Sequence, residues 1–289
     1  NLHFYFKCAK IIFFSFFVKR CFQNFCVHLP PHSKKIENMK VIFITGATSG
    51  FGEAIARTLA KQNVHMVITG RTEDKLRKVA AEIEAATQTK VLPLVFDVRD
   101  PKACEEAILN MPEEFREVDV LINNAGLAVE LNPVQNGLLD DWERMIDTNI
   151  KGLLYVTRLI SPGMVERKRG HIINIGSTAS HEVYYGGNVY CATKHAVLAL
   201  TKAMRTDFLP YNIKVTQISP GAAETNFSLV RFKGDSARAD KVYEGYEPLV
   251  AQDIADVVEF VLSRPPHVCL NEIIMTPTAQ FNGVIHKEK

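Results

Sequence analysis

The stretch Lys40–Gln62, KVIFITGATSGFGEAIARTLAKQ, decides the fold. Its first six residues, Lys40–Thr45, are a β-branched and aromatic run without polar alternation, which predicts a short strand buried on both faces. Gly46, Gly50 and Gly52 follow in G-x-x-x-G-x-G spacing, with Thr48, Ser49 and Phe51 between them. From Phe51 to Gln62 apolar residues return at helical spacing, Ile55 and Leu59 on one stripe. A strand, a glycine turn and a helix N-terminus in that order suit a pyrophosphate. The glycines let the backbone come close, and the helix offers unpaired N–H groups and the positive end of its dipole.

The same alternation continues outward. Strands are predicted over His65–Thr69, Val91–Phe96, Val118–Ile122, His171–Ile175, Lys214–Ile218 and Glu272–Met275, and helices over Glu73–Thr87, Pro101–Asn110, Asp140–Val165, Asn188–Leu209 and Ala251–Ser263. Seven strands separated by helices imply an α/β fold with a doubly wound parallel sheet, covered by helices on both faces. Residues 39–289 contain no internal repeat or linker and read as a single domain.

The second strand ends Thr69-Gly70-Arg71. An acidic side chain near this point would bind the 2′-hydroxyl of an NAD ribose, whereas an arginine accommodates a 2′-phosphate. Glycine followed by Arg71 therefore favours NADP. Asp97, at the end of the third strand, is placed to accept from the adenine amino group or to cap the next helix.

Tyr190 and Lys194 stand four residues apart on a predicted helix, one turn apart on one face. A tyrosine with a pKa of about 10 is a poor base at neutral pH, but a nearby ammonium favours the phenolate, so the pair is a candidate general acid/base. His195 and Cys191 beside it, like His171 and Trp142, are expected to pack rather than react.

Read together, TGATSGFG, Asn123-Asn124-Ala125-Gly126, Asn149, Ser177, Tyr190-Cys191-Ala192-Thr193-Lys194 and Ile218-Ser219-Pro220-Gly221 resemble the short-chain dehydrogenase/reductase superfamily across essentially all of 39–289. The resemblance implies a Rossmann-type sheet and an NADP-dependent oxidoreductase with a tetrad of Asn149, Ser177, Tyr190 and Lys194. In it, Ser177 holds the substrate oxygen and Tyr190 transfers its proton. Lys194 binds the nicotinamide ribose and lowers the Tyr190 pKa, and Asn149 holds a relay water. The resemblance also places Val98, Asn124, Ala125, Gly126, Pro220, Gly221, Ala223 and Thr225 along the cofactor, and implies a tetramer built through the helices at Asp140–Val165 and Asn188–Leu209.

A narrower resemblance rests on Phe51, DWERMIDTNIKGLLYVTR, HIINIGSTAS, GGNVYCATK and Val230-Arg231-Phe232-Lys233-Gly234-Asp235. These are similar to NADP-dependent serine and 3-hydroxy acid dehydrogenases, whose substrates (serine, allo-threonine, 3-hydroxypropionate) carry a hydroxyl β to a carboxylate. Such a pocket needs a cation, and Arg231 and Lys233 are the candidates, since an arginine can grip a carboxylate with two parallel hydrogen bonds. The alternative is that this string orders a lid or meets another subunit. Tyr184 or Tyr185 is a further candidate for the substrate wall. His181-Glu182-Val183 departs from the bulkier apolar residues of the relatives and puts the substrate, though not the chemistry, in question.

The chain has 289 residues, 47% hydrophobic and 23% charged, with a formal net charge of +2. That excludes a largely disordered chain and argues against a nucleic-acid binder. The charge is unevenly spread. Residues 1–38 carry six Lys/Arg against one acid and 8 of the 17 phenylalanines, while the remainder has 28 basic against 31 acidic residues. The uncharged run Ile11–Val18 is too short to span a membrane. Residues 1–38 are therefore expected to be an extension outside the catalytic fold. Six cysteines without a C-x-x-C pair support no metal site and suggest a reducing, cytoplasmic setting. Two other functions stay open: a reductase of apolar ketones or steroid-like alcohols, attached to membranes by the Phe-rich front, and a non-catalytic dinucleotide-binding regulator. The complete tetrad argues against the second.

Overall fold

A computed structural model of the chain describes residues 41–281 and 283–287. The reading of residues 1–38 as an extension lies outside the described residues. Seven strands, Val41–Ile44 (β1), His65–Gly70 (β2), Val91–Val95 (β3), Val118–Asn123 (β4), Gly170–Ile175 (β5), Ile213–Pro220 (β6) and Glu272–Met275 (β7), form one parallel sheet in the order β3-β2-β1-β4-β5-β6-β7. The chain winds outward from β1 in both directions, so the carboxyl ends of β1 and β4 part and leave a crevice between their loops. In such sheets ligands bind at that point.

The helices are Gly50–Ala60 (α1), Glu73–Ala86 (α2), Pro101–Leu109 (α3), Glu113–Arg116 (α4), Leu139–Ile146 (α5), Leu153–Arg167 (α6), Asn188–Phe208 (α7), Asn226–Arg231 (α8), Ser236–Lys241 (α9) and Ala251–Leu262 (α10). On one face Val41 and Phe43 of β1 and Leu121 of β4 pack against Val156, Ile160 and Met164 of α6 and Val197 and Met204 of α7. On the other, α10 lies along α1, with Ile55, Leu59, Ile254 and Val258 fully buried. Each of these branched side chains contributes roughly 1.5–3 kcal/mol by leaving water.

The expected strands are all present, shifted by no more than two residues at an end. The helix predicted over Asp140–Val165 is not continuous: α5 and α6 are joined by a π-helical turn, Asp147–Gly152. Gly152 closes it against Val98, whose Cγ2 would stand 2.7 Å from a Cβ there. Such turns recur at functional sites because they re-aim one side chain without ending the helix. The side chain re-aimed here is Asn149. No helix among the described residues is long and apolar enough to cross a membrane.

Candidate active site

The crevice beside β1 is walled by the glycine turn. Gly46 and Gly50 have φ of +69° and +58°, the left-handed region that favours glycine, and a Cβ on Gly46 would stand 3.0 Å from Ala125 Cα. Gly52 lies behind the turn rather than on its wall: a Cβ there would meet Gly46 O at 2.3 Å. Asn124 Nδ2 donates to the carbonyls of Thr45 and Gly46 at 2.9 Å, and the Asn124 and Ala125 N–H groups donate to Thr45 Oγ1. The loop after β4 thus braces the turn after β1. Ser49 begins α1 without a side-chain cap, which leaves its first-turn N–H groups facing the crevice.

Thr48, Ser49, Phe51, Arg71, Asp97 and Val98 line the crevice, as do Asn124, Ala125, Gly126, Tyr190, Lys194 and Thr225. Asp97 does not cap the following helix. Asp100 does, accepting from the Lys102 and Ala103 N–H groups. Instead Arg99 grips Asp97, with 2.6 Å from an Arg99 NH2 group to Oδ2, while the half-exposed Arg71 stands 3.8 Å away. The Arg99 hydrogen bonds, opposed by partial burial, hold the Asp97 carboxyl below its usual range. Pro220, Gly221 and Ala223 are set back from the wall. Gln280 packs where a side chain at Gly221 would sit and accepts from the Ala222 N–H, which shapes the turn from behind. Thr225 Oγ1 accepts from the Phe227 N–H and so starts α8.

Tyr190, Lys194 and Asn149 are all buried. Asn149 Oδ1 accepts from the Leu127 N–H, and its Nδ2 donates to Leu127 O and Thr193 Oγ1. Its amide therefore pins the loop after β4 against α7. A Cβ on Gly126 would come 3.3 Å from Asn149 Oδ1 and 3.6 Å from Lys194 Nζ, so both polar groups face one small gap. Lys194 Nζ donates to Ile175 O at 2.9 Å, and burial pushes its ammonium down to about 8. Ser177, extended just beyond β5, accepts from the Ala179 N–H. Burial raises the Tyr190 pKa, and the Arg231 guanidinium opposes that rise.

The string Val230–Asp235 divides its labour. Arg231 reaches the site: its Cζ lies 5.3 Å from the Tyr190 ring centroid, and a terminal NH2 donates to Tyr184 Oη at 3.2 Å. Lys233 does not. It turns away at φ +54° and pairs with Asp141 on α5 at 2.8 Å. Phe232 is buried beneath Arg238, Gly234 takes φ +94°, and Asp235 caps α9. Tyr184, partly buried against the cluster that holds Tyr190, has its phenol pushed up by desolvation, while Tyr185 is almost fully exposed.

The family of short chain dehydrogenases matches residues 40–234. The chain belongs to that family. It is 46% identical over 250 residues to the NADP-dependent 3-hydroxy acid dehydrogenase of Salmonella typhi, covering 86% of this chain and 99% of the relative. With the NADP-dependent 3-hydroxy acid dehydrogenase of Schizosaccharomyces pombe it shares 40% over 252 residues, 86% and 97% of the two chains. A solved structure, the closed form of serine dehydrogenase complexed with NADP+, superimposes with a TM-score of 0.80 at 42% identity, covering 86% of this chain and 99% of that one.

This short-chain dehydrogenase site also uses residues that motif reading passed over. Leu127, Asn226, Phe227 and Val230 line the crevice near Tyr190, and Thr148 and Gly176 close its floor. Gly176 carried a signal, since it directly precedes Ser177; Phe227 carried none, because only the lid helix α8 brings its ring to 5.8 Å from that of Tyr190. The departure at His181–Val183 stays clear of the crevice wall. His181 Nε2 stands 2.9 Å from Glu272 Oε1, off the line of a good hydrogen bond, and Val183 is exposed. His171, hydrogen-bonded to Thr216, and Trp142, packed over Gly137, are structural as expected.

Proposed function

We propose that this chain is an NADP-dependent oxidoreductase that interconverts a small 3-hydroxy acid with its 3-oxo acid or semialdehyde, with Tyr190 as acid/base. The observation that carries the reading is a guanidinium, Arg231, without an acidic partner among the described residues, placed against the ring of a buried tyrosine in a dinucleotide crevice. The relatives' names point the same way.

The cradle fits the cofactor. Gly46 and Gly50 admit a pyrophosphate, the uncapped start of α1 offers it N–H donors, and Arg71 supplies a cation where a 2′-phosphate would lie. When bound, NADP supplies or accepts the hydride. The protein's own groups manage the proton and the geometry. In oxidation Tyr190 Oη takes the hydroxyl proton of the substrate; in reduction it returns one. Ser177 Oγ donates to the substrate oxygen and steadies the charge that develops there. Lys194, with an ammonium near 8, is able to exchange a proton at Nζ close to neutrality, and Asn149 holds the Leu127 loop so that the gap beside Nζ keeps its shape. Arg231 receives a carboxylate one methylene from the reacting carbon.

The test is NADP+ reduction with serine, allo-threonine, 3-hydroxypropionate and a steroid alcohol, run beside Tyr190→Phe. Turnover of the hydroxy acids that falls at least about 10³-fold in the variant is expected, because a positioned acid/base contributes roughly 10²–10⁴. Turnover of the steroid alone, or cofactor binding with no turnover, would sink the reading.

A further inference from the structure

Arg231 ends α8, and its guanidinium enters the site from the lid. Its Cζ lies 5.3 Å from the Tyr190 ring centroid and 5.0 Å from that of Phe227. A terminal NH2 is tied to Tyr184 Oη, and its Nε is buried without a hydrogen-bond partner. Two other lid cations are spoken for: Lys233 pairs with Asp141, and Arg238 with Glu130, each at 2.8 Å. Those two pairs, with the Glu130 N–H donating to Arg231 O, seat α8 and α9 against α5 and the loop after β4. Arg231 thus brings a net positive charge to the phenol, while Lys194, on the same helix as Tyr190, is 5.9 Å from the ring and committed to Ile175 O.

We propose that Arg231 is a positioning residue for proton transfer: besides gripping the carboxylate, its charge offsets part of what burial costs the Tyr190 phenolate in the free enzyme, so the lid carries part of the acid/base machinery. This rests on Tyr190 being the acid/base.

Arg231 and Lys194 are the two cations beside Tyr190, and Arg231 stands the nearer to its ring, 5.3 Å against 5.9 Å. Cys191 and Lys194 approach Tyr190 from α7, Tyr184 from the loop before it, Ser177 from the end of β5, and Arg231 from α8. Burial pushes the Cys191 thiol up, which keeps it neutral, and the Lys194 ammonium down to about 8, while Lys194 Nζ donates to Ile175 O. Two acids that line a small pocket with Tyr190, Asp141 and Glu130, are already paired with lid cations. When a carboxylate docks on Arg231 it offsets that charge, and the phenolate becomes a stronger base at the moment it is needed. The substrate O–H proton then passes to Tyr190 Oη as the C–H hydride passes to NADP+, leaving the 3-oxo acid.

The experiment compares wild type, Arg231→Met and Arg231→Lys in two measurements. One is the pH profile of kcat/KM for 3-hydroxypropionate, which reports ionisations of the free enzyme. The other is the near-ultraviolet tyrosinate titration of each protein, from which the same protein carrying Tyr190→Phe is subtracted, so that Tyr190 is read without substrate. In Arg231→Met both curves are expected to move up by about one to two pH units. Arg231→Lys restores most of that position while KM stays raised, because the ammonium lacks the two-point grip. An even loss of kcat/KM at every pH with an unmoved Tyr190 titration would overturn the proposal and leave Arg231 a substrate anchor only. If wild type turns over no hydroxy acid, the substrate reading fails, and the titration still decides this one.

Discussion

At the scale of single residues, the site divides into groups that face a ligand and groups that hold them. Arg71 belongs to the first kind. Its guanidinium is half exposed, and its one acidic neighbour, Asp97, is already gripped by Arg99. Arg71 is therefore free to meet an anion. Charge-assisted hydrogen bonds contribute roughly 1.5–3 kcal/mol each, about 10- to 150-fold in affinity. Arg71→Asp should accordingly raise the KM for NADPH by at least about 10-fold and leave or lower that for NADH, measured as initial rates with each cofactor. Equal effects on both would show that Arg71 does not read the 2′-phosphate. Asn149 is of the second kind, with three hydrogen bonds from its amide to backbone and Thr193.

At the scale of elements, β5 and β6 carry a buried histidine that links the sheet to pH. His171 Nε2 bonds Thr216 Oγ1 at 2.8 Å across the two strands, its Nδ1 has no hydrogen-bond partner, and burial, with a small contribution from Lys214, pushes it down to about 3. The folded form keeps it neutral, while the unfolded chain protonates it below its ordinary value near 6.5. Between these values the unfolded state binds more protons. Stability contributed by the neutral ring is thus present above about 6.5 and is lost as pH falls toward 3, by up to about 1.4 kcal/mol per unit. Denaturation midpoints measured from pH 7 to 4.5 should fall more steeply for wild type than for His171→Gln; parallel curves would refute the assignment. The burial behind this effect was legible in β5, where Ile172, Ile173 and Ile175 occupy both faces, because a strand covered on both faces leaves no solvated side for a charge. The break between α5 and α6 was not legible, since Asp140–Val165 keeps helical spacing through the π turn and only the contact of Gly152 with Val98 reveals it. Helices α8 and α9 escaped for a related reason. Six residues each are too few to establish a period, and what orders them is Lys233–Asp141 and Arg238–Glu130, pairs across 92 and 108 residues. That Asn149 and Lys194 converge beside Tyr190 was readable because their positions follow strand ends and a helix that the sheet fixes; the place of Arg231 was only half readable, because its distance to Tyr190 depends on where α8 lies.

At the scale of the whole molecule, the question is what the catalytic fold requires. Every strand of the sheet, both sides of the crevice and the lid fall within residues 41–287. The Salmonella typhi relative is matched over 99% of its length by 250 residues of this chain. The basic character does not belong to the fold, since residues 39–289 have three more acids than bases, and the positive groups that matter, Arg71, Lys194 and Arg231, act through position rather than through net charge. A chain trimmed to residues 39–289 should keep kcat/KM for a hydroxy acid within about twofold and its denaturation midpoint nearly unchanged, because the sheet, the crevice wall and the lid all lie within it. The Phe-rich front would then be free to serve association or placement, and removing eight phenylalanines should reduce sedimentation of the chain with lipid vesicles if it binds any. Loss of turnover in the trimmed chain, with cofactor binding intact, would mean that residues 1–38 reach the substrate side of the crevice.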